Sequence, residues 1–171
     1  MKTKLRPIVI TIAKQMAIAA ALITAVGFWQ TSSMPRGLAP VVQVTAVDGV
    51  TFDVPSTDSP KLTLIYFFAP WCGVCRVSIK NLDAVSKWLL DVDVYAVALD
   101  YESKNDVLKF VQEVGVTAPV AFGSPEVRNT WNISGYPSYV IIGRDRQIRT
   151  ASIGYSSQAG MLARLAWAKL W

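Results

Sequence analysis

The stretch Tyr66-Phe67-Phe68-Ala69-Pro70-Trp71-Cys72-Gly73-Val74-Cys75-Arg76 decides how the chain is read. It holds the only two cysteines, three positions apart. Before it, the continuous apolar run Leu62–Phe68 has the character of a strand buried on both faces. After it, Ile79, Leu82, Val85 and Leu89 recur at helical spacing. The pair therefore stands where a strand hands over to a helix. That placement brings the sulfurs within bonding reach and puts Cys72 at a helix N-terminus, where backbone N–H groups and the helix dipole favour a thiolate. Thiolate is the nucleophile of thiol–disulfide exchange, so the segment reads as a redox site.

A Cys-x-x-Cys pair has other uses. Structural zinc wants four ligands, usually Cys or His. The chain has no histidine and only these two cysteines, so no metal site is assigned. Two thiolates alone suit copper(I), which keeps a copper(I)-handling module as an alternative. A structural disulfide is the third reading, although so short a loop removes little entropy from the unfolded chain. The missing histidines also exclude Ser/His/Asp and Cys/His hydrolases. Proton transfer is left to carboxylates, tyrosines, the thiols and water. No cofactor is expected.

Hydrophobic residues make up 52 % of the 171, and the excess lies at the N-terminus. Residues 7–29, Pro7 to Trp29, are mostly apolar and long enough to span a bilayer. Lys2, Lys4 and Arg6 precede them, which keeps the N-terminus cytoplasmic and exports the remainder. Lys14 interrupts the run near its cytoplasmic end, where its ammonium can snorkel toward the headgroups. Phe28 and Trp29 at the outer end suit an interfacial anchor, and the nearest small-residue cleavage pattern is Gly37-Leu38-Ala39. A retained single-pass anchor is expected rather than a cleaved signal peptide.

The net charge of +5 does not indicate nucleic acid. Residues 1–40 carry five basic residues, Lys2, Lys4, Arg6, Lys14 and Arg36, and no acidic one. The other twelve basic residues are matched by all twelve acidic ones, so the exported part is neutral and has no phosphate-tracking stripe.

Three segments result: 1–29 as a membrane anchor, 30–40 as a Pro- and Gly-bearing linker, and 41–171 as one domain. The linker reaches at most roughly 35–40 Å when extended. Within the domain, Val41–Val47 and Val50–Val54 around Asp48-Gly49 read as a hairpin. Val92–Leu99 is a second buried strand. Ser103-Lys104-Asn105-Asp106 resembles a capping box opening a helix through Val107, Phe110, Val111 and Val114. Ser124-Pro125 opens a short helix to about Trp131. Ser138–Ile142 and Gln147–Ile153 are strands around Gly143–Arg146, and Ser157–Trp171 is a final helix. Parallel strands joined by crossover helices, closed by an antiparallel pair, give an α/β domain with helices on both faces of a central sheet.

With the cysteine motif, this order of elements and Tyr136-Pro137-Ser138, the domain resembles the thioredoxin superfamily. More narrowly it is similar to its exported, membrane-tethered branch, the TlpA-like proteins and cytochrome c maturation reductases. Three stretches resemble the suppressor-of-copper-sensitivity D type of protein disulfide oxidoreductase. They are Trp71–Arg76, Met34-Pro35-Arg36-Gly37-Leu38-Ala39-Pro40, and the ending Gly154-Tyr155-Ser156-Ser157 with Gly160-Met161 and Arg164-Leu165-Ala166.

The resemblance implies a three-layer sandwich with a central mixed sheet. It implies a cis-proline at Pro137 that exposes backbone for an extended substrate. It also makes Tyr136 a substrate-contacting neighbour of the catalytic Cys72 and Cys75. Trp71, beside the reactive thiol, reads as a shield that shapes an apolar substrate-contact surface, with a purely structural role as the alternative. Two departures from the superfamily pattern stand out. A buried acid often lies six residues before the first cysteine, and here that position is Tyr66. Asp100 and Glu102 are substitutes only if the fold brings them close; otherwise they are solvated loop carboxylates. The Gly73-Val74 pair offers Cys72 no side-chain donor, leaving the helix start and Arg76. Trp29, Trp88, Trp131, Trp167 and Trp171 read as anchor or core.

The function expected is a protein disulfide oxidoreductase at the bacterial inner membrane, with its catalytic domain in the periplasm. Cys72 attacks a substrate disulfide and Cys75 resolves the mixed disulfide. Its partners would be thiols and disulfides of exported proteins and a membrane electron donor or acceptor. Without a thiolate-stabilising side chain the couple should lie toward the reducing end, with a disulfide-forming oxidase as the alternative direction.

Overall fold

A computed structural model describes residues 5–170. Lys2, Lys4 and Trp171, and the side chains of Arg6, Ile23 and Phe28, lie outside what is described. The chain divides into two units, Met1–Ser32 and Ser33–Trp171.

The first unit is one helix, α1 (Leu5–Gln30). Its stretch Ile10–Gly27 has a mean hydropathy of 1.6, long and apolar enough to cross a membrane. The Thr24 hydroxyl is satisfied within the helix, donating to the Ala20 and Ala21 carbonyls at 2.9 Å each. Lys14 and Trp29 are exposed in this unit.

The second unit is a thioredoxin-like sandwich around a seven-stranded mixed sheet. Its strands are β1 (Val42–Ala46), β2 (Thr51–Val54), β3 (Leu62–Phe68), β4 (Val92–Ala98), β5 (Val120–Phe122), β6 (Ser138–Ile142) and β7 (Ile148–Ile153), in the order β2-β1-β5-β4-β3-β6-β7. β3, β4 and β5 are parallel; β6 and β7 extend the sheet antiparallel on one side and β1–β2 on the other. All seven residues of β3 are buried, as a continuous apolar run requires.

Successive side chains of β3 point to opposite faces. Leu62, Leu64, Tyr66 and Phe68 join one core with Ile79, Leu82, Phe110 and Leu165. Ile65 and Phe67 join the other with Met34, Val127, Trp131 and Val140. Helices α2 (Gly73–Ser78), α3 (Asn81–Trp88), α4 (Lys104–Val114) and α6 (Gln158–Ala168) contribute to the first face, and α5 (Pro125–Thr130) to the second.

Local chemistry sets the boundaries. Ser103 and Asp106 form the expected capping box of α4, which ends at Gly115 in the left-handed region, φ 63°. Ser124 caps α5 with Pro125 in its first turn. Gly49, φ 95°, closes the β1–β2 turn while Asp48 Oδ1 accepts the Val50 N–H at 3.1 Å.

Four features differ from the sequence expectation. The single helix after Cys75 is two, α2 and α3. At the break, Leu82 N–H donates to the Ile79 carbonyl and Asp83 N–H to Lys80, the tighter i→i−3 pattern. β5 is an additional strand, three residues behind Pro119, too short for periodicity to reveal. The stretch read as a linker is packed: Met34 and Ala39 are buried, and Ile148 N–H donates to the Gly37 carbonyl. Trp131 is core, but Trp88 and Trp167 are exposed.

Candidate active site

β3 ends at Phe68, and Ala69–Trp71 carry the chain to Cys72, the N-cap of α2. Cys72 Sγ accepts the Cys75 N–H at 3.1 Å, so the cap is itself the first sulfur. The two cysteines form a disulfide with Cα atoms 5.2 Å apart. Their environments differ: Cys72 keeps 6 % exposure and Cys75 none. Around them Trp71, Val74 and Val77 are exposed, giving the cysteine loop an apolar rim.

The Tyr136–Pro137 bond is cis. β6 begins directly after it, and its first residue, Ser138, pairs with Phe67 at the end of β3. This register brings the proline loop alongside the cysteine loop. The Tyr136 ring meets Trp71 edge-on, centroids 5.7 Å apart at 82°.

In the same core as the pair, Tyr66 is fully buried. Its hydroxyl lies 2.6 Å from Ser78 Oγ, and Ser78 spends its own proton on the Val74 carbonyl at 2.9 Å. Tyr66 is therefore the donor in that contact. Burial pushes its phenol far above the ordinary range. A proton leaving Cys75 finds no carboxylate at this position.

Asp100 is an exposed loop carboxylate, as one reading of the sequence had it, but it is bonded on two sides. It follows β4 at φ 48°, a region Asp tolerates better than most residues. Its main-chain carbonyl accepts the Trp71 indole N–H at 2.8 Å. Its Oδ2 accepts the Tyr136 hydroxyl at 3.0 Å. Arg128 Nε, from α5, lies 3.1 Å from the same oxygen and forms an ion pair with it. Burial first, then the Asp100 bond and charge, push the Tyr136 phenol upward, with Arg128 opposing. Tyr136 stays a neutral donor.

Arg76 is committed elsewhere. Its Nη1 pairs with Glu113 Oε2 at 2.6 Å and its guanidinium lies 5.2 Å from the Phe110 ring centre. A groove of about 280 Å³ lies between these groups, lined by Trp71, Arg76, Tyr101, Glu102, Phe110 and Glu113. Glu102 thus faces a groove beside Trp71. Among the described residues no three His, Cys, Asp or Glu side chains cluster to hold a metal ion.

The structure brings Trp71, Cys72, Cys75, Tyr136 and Pro137 to one end of the sheet. Sequence reasoning missed Ser78 and Arg128. It also underread Asp100, although the carboxyl end of a parallel strand is where α/β sheets gather ligands. Arg128 carries no signal of its own, because the sequence does not say which way α5 packs.

Comparison with known proteins agrees with this geometry. The family model described as Redoxin matches residues 34–165. A thioredoxin-like protein of Haemophilus influenzae is 30 % identical over 132 residues, 72 % of each chain. The thiol:disulfide interchange protein CycY of Rhizobium leguminosarum is 29 % identical over 104 residues, 59 % of this chain and 54 % of that one. Among solved structures, a thiol:disulfide interchange protein of the thioredoxin family from Chlorobium tepidum superposes with a TM-score of 0.67 at 22 % identity, covering 78 % of this chain and 97 % of its own. A secreted Mycobacterium tuberculosis disulfide oxidoreductase gives 0.65 at 20 % identity, covering 74 % and 95 %. At such identities the structural likeness speaks for the fold alone.

Proposed function

The chain belongs to the Redoxin family, and from that premise we propose that it is a membrane-anchored thiol–disulfide oxidoreductase that reduces disulfides of exported proteins. The observation that carries the reading is the asymmetry of the cysteine pair. Cys72 caps a helix and keeps some exposure, while Cys75 is sealed one turn further in. The first sulfur is the one an incoming protein reaches. Its thiolate attacks a substrate disulfide, one bond forms as another breaks, and a substrate thiolate leaves. Cys75 then attacks Cys72 Sγ and releases the second substrate thiolate. Two electrons have passed to the substrate, and a dithiol donor at the membrane restores the pair.

Trp71, Tyr136 and the cis Pro137 loop receive the substrate as an extended segment beside Cys72. The apolar stretch of α1 supports single-pass anchoring at the bacterial inner membrane. The basic residues ahead of it favour a cytoplasmic N-terminus and a periplasmic domain. The suppressor-of-copper-sensitivity resemblance suggests substrates damaged during copper stress. The names of the Rhizobium and Chlorobium proteins favour the same interchange chemistry.

Direction rests on what surrounds Cys72. Gly73 and Val74 bring no donor, and Arg76 is taken by Glu113. The thiolate is held by the helix start alone, which favours a reducing couple. Thioredoxin and the strong periplasmic oxidants differ by about 150 mV, roughly 7 kcal/mol. Equilibration against dithiothreitol should place this couple near the thioredoxin end; a potential near the oxidants would reverse the direction. In cells, Cys75→Ala should trap mixed disulfides on Cys72 with exported proteins. Stoichiometric copper(I) binding with no disulfide turnover would replace the proposal with a metal-handling one.

A further inference from the structure

Resting on the exchange reading, we propose that Asp100 is a positioning residue that locks Trp71 and Tyr136 into one preformed docking wall for the substrate segment. Four pieces of chain converge on it: the cysteine loop, the end of β4, α5 and the loop before β6. Asp100 uses two different oxygens to join them. Its main-chain carbonyl takes the Trp71 indole N–H and its carboxylate takes the Tyr136 hydroxyl. Arg128 beside the carboxylate balances its charge, so the phenol need not compete with an uncompensated anion for solvent.

Both rings are thereby fixed relative to one another, edge to face. Trp71 is 68 % exposed and has little packing of its own to hold it. Without the carboxylate, Tyr136 loses its acceptor and Arg128 its counter-charge. The wall must then be ordered by the substrate, at a cost to binding. The sulfur chemistry of Cys72 does not pass through Asp100, so docking and exchange should separate experimentally.

The test compares two disulfides, insulin as a protein and dithiobis(nitrobenzoate) as a small molecule. Asp100→Gly keeps the left-handed backbone and the main-chain carbonyl that holds Trp71, but removes the oxygen that accepts the Tyr136 hydroxyl. It should raise KM for insulin about tenfold, within the range that misplacement of a binding group produces, while the small-disulfide rate changes less than about twofold. Asp100→Gly combined with Tyr136→Phe should be no worse than the more affected single variant, because both cut one link. If Asp100→Gly does not fold, Arg128→Gln carries the same comparison from the other side of the pair. An unchanged KM for insulin, an equal loss toward both disulfides, or additive losses in the double variant would overturn the positioning role and leave the exchange reading standing. A wild-type protein inert toward both disulfides would overturn both.

Discussion

Two tyrosine hydroxyls flank the cysteine pair and are held in opposite ways. Tyr66, in the same core, is fully buried and donates to Ser78, whose own proton is spent on a helix carbonyl. Tyr136, beside it, is partly exposed and donates to Asp100, whose charge is answered by Arg128. Both phenols stay protonated. The first ties off a core with neutral groups only; the second belongs to a charged network at the surface. The contrast teaches where this site can and cannot handle protons. No carboxylate stands at Tyr66 to take the proton of Cys75, so that position cannot act as the general base when the mixed disulfide resolves.

The sharpest way to break the contrast is to put a carboxylate where the inner tyrosine stands. Tyr66→Asp should lose about 3–5 kcal/mol of unfolding stability, from the cavity and the unpaired buried charge together. If denaturant titration finds it as stable as wild type, the inner side is not the sealed, neutral region described. Where the variant folds, its resolving step should gain an ionisation that wild type lacks.

Alkaline unfolding of the oxidised protein probes the same side next. A phenol whose folded-state pKa is raised contributes stability that is complete below its unfolded value of about 10 and is lost as pH climbs above it. The unfolded chain then holds fewer protons than the folded one, so stability falls by about 1.4 kcal/mol per pH unit for Tyr66. Tyr66→Phe should flatten that limb. At neutral pH, Tyr66→Phe should cost about 1 kcal/mol, a buried hydrogen bond, and Tyr136→Phe about half as much. Equal costs would remove the distinction between the two sites.

The smallest effect lies at the opposite end of the sheet, where the bond from Lys169 holds the Asp91 carboxyl below its usual range, with Arg144 nearby. A depressed carboxylate gives stability that is present above its unfolded pKa and lost as pH falls through the folded one. Asp91→Asn should shallow the acid limb slightly and leave turnover unaltered.

How much of this was legible beforehand follows the physics of each signal. β3, the capping box at Ser103, the proline-led α5 and the helix start at Cys72 all depend on local chemistry, and each lies where it was expected. What escaped depends on contacts distant in sequence. The kink between α2 and α3 carries no glycine or proline, and its apolar spacing reads straight through. β5 has three residues, and only its neighbours make it a strand. Met34 and Ala39 were read as linker because an isolated Pro- and Gly-bearing stretch does not reveal that a core awaits it. At the site, the two sulfurs and Pro137 come from short motifs. Asp100 and Arg128 stand 28 positions apart in sequence, and only the folded sheet makes them partners.

The three residues of β5 have one more consequence. The β1–β2 hairpin joins the sheet through Thr45 opposite Phe122 and Ala46 opposite Ala121, with the Val47 N–H reaching the Val120 carbonyl. β3 and β4, by comparison, are zipped along seven register pairs. The hairpin is thus a flap on a narrow seam. Its amides should exchange with deuterium well before those of β3, so this corner can breathe while the strands that carry the sulfurs stay shut.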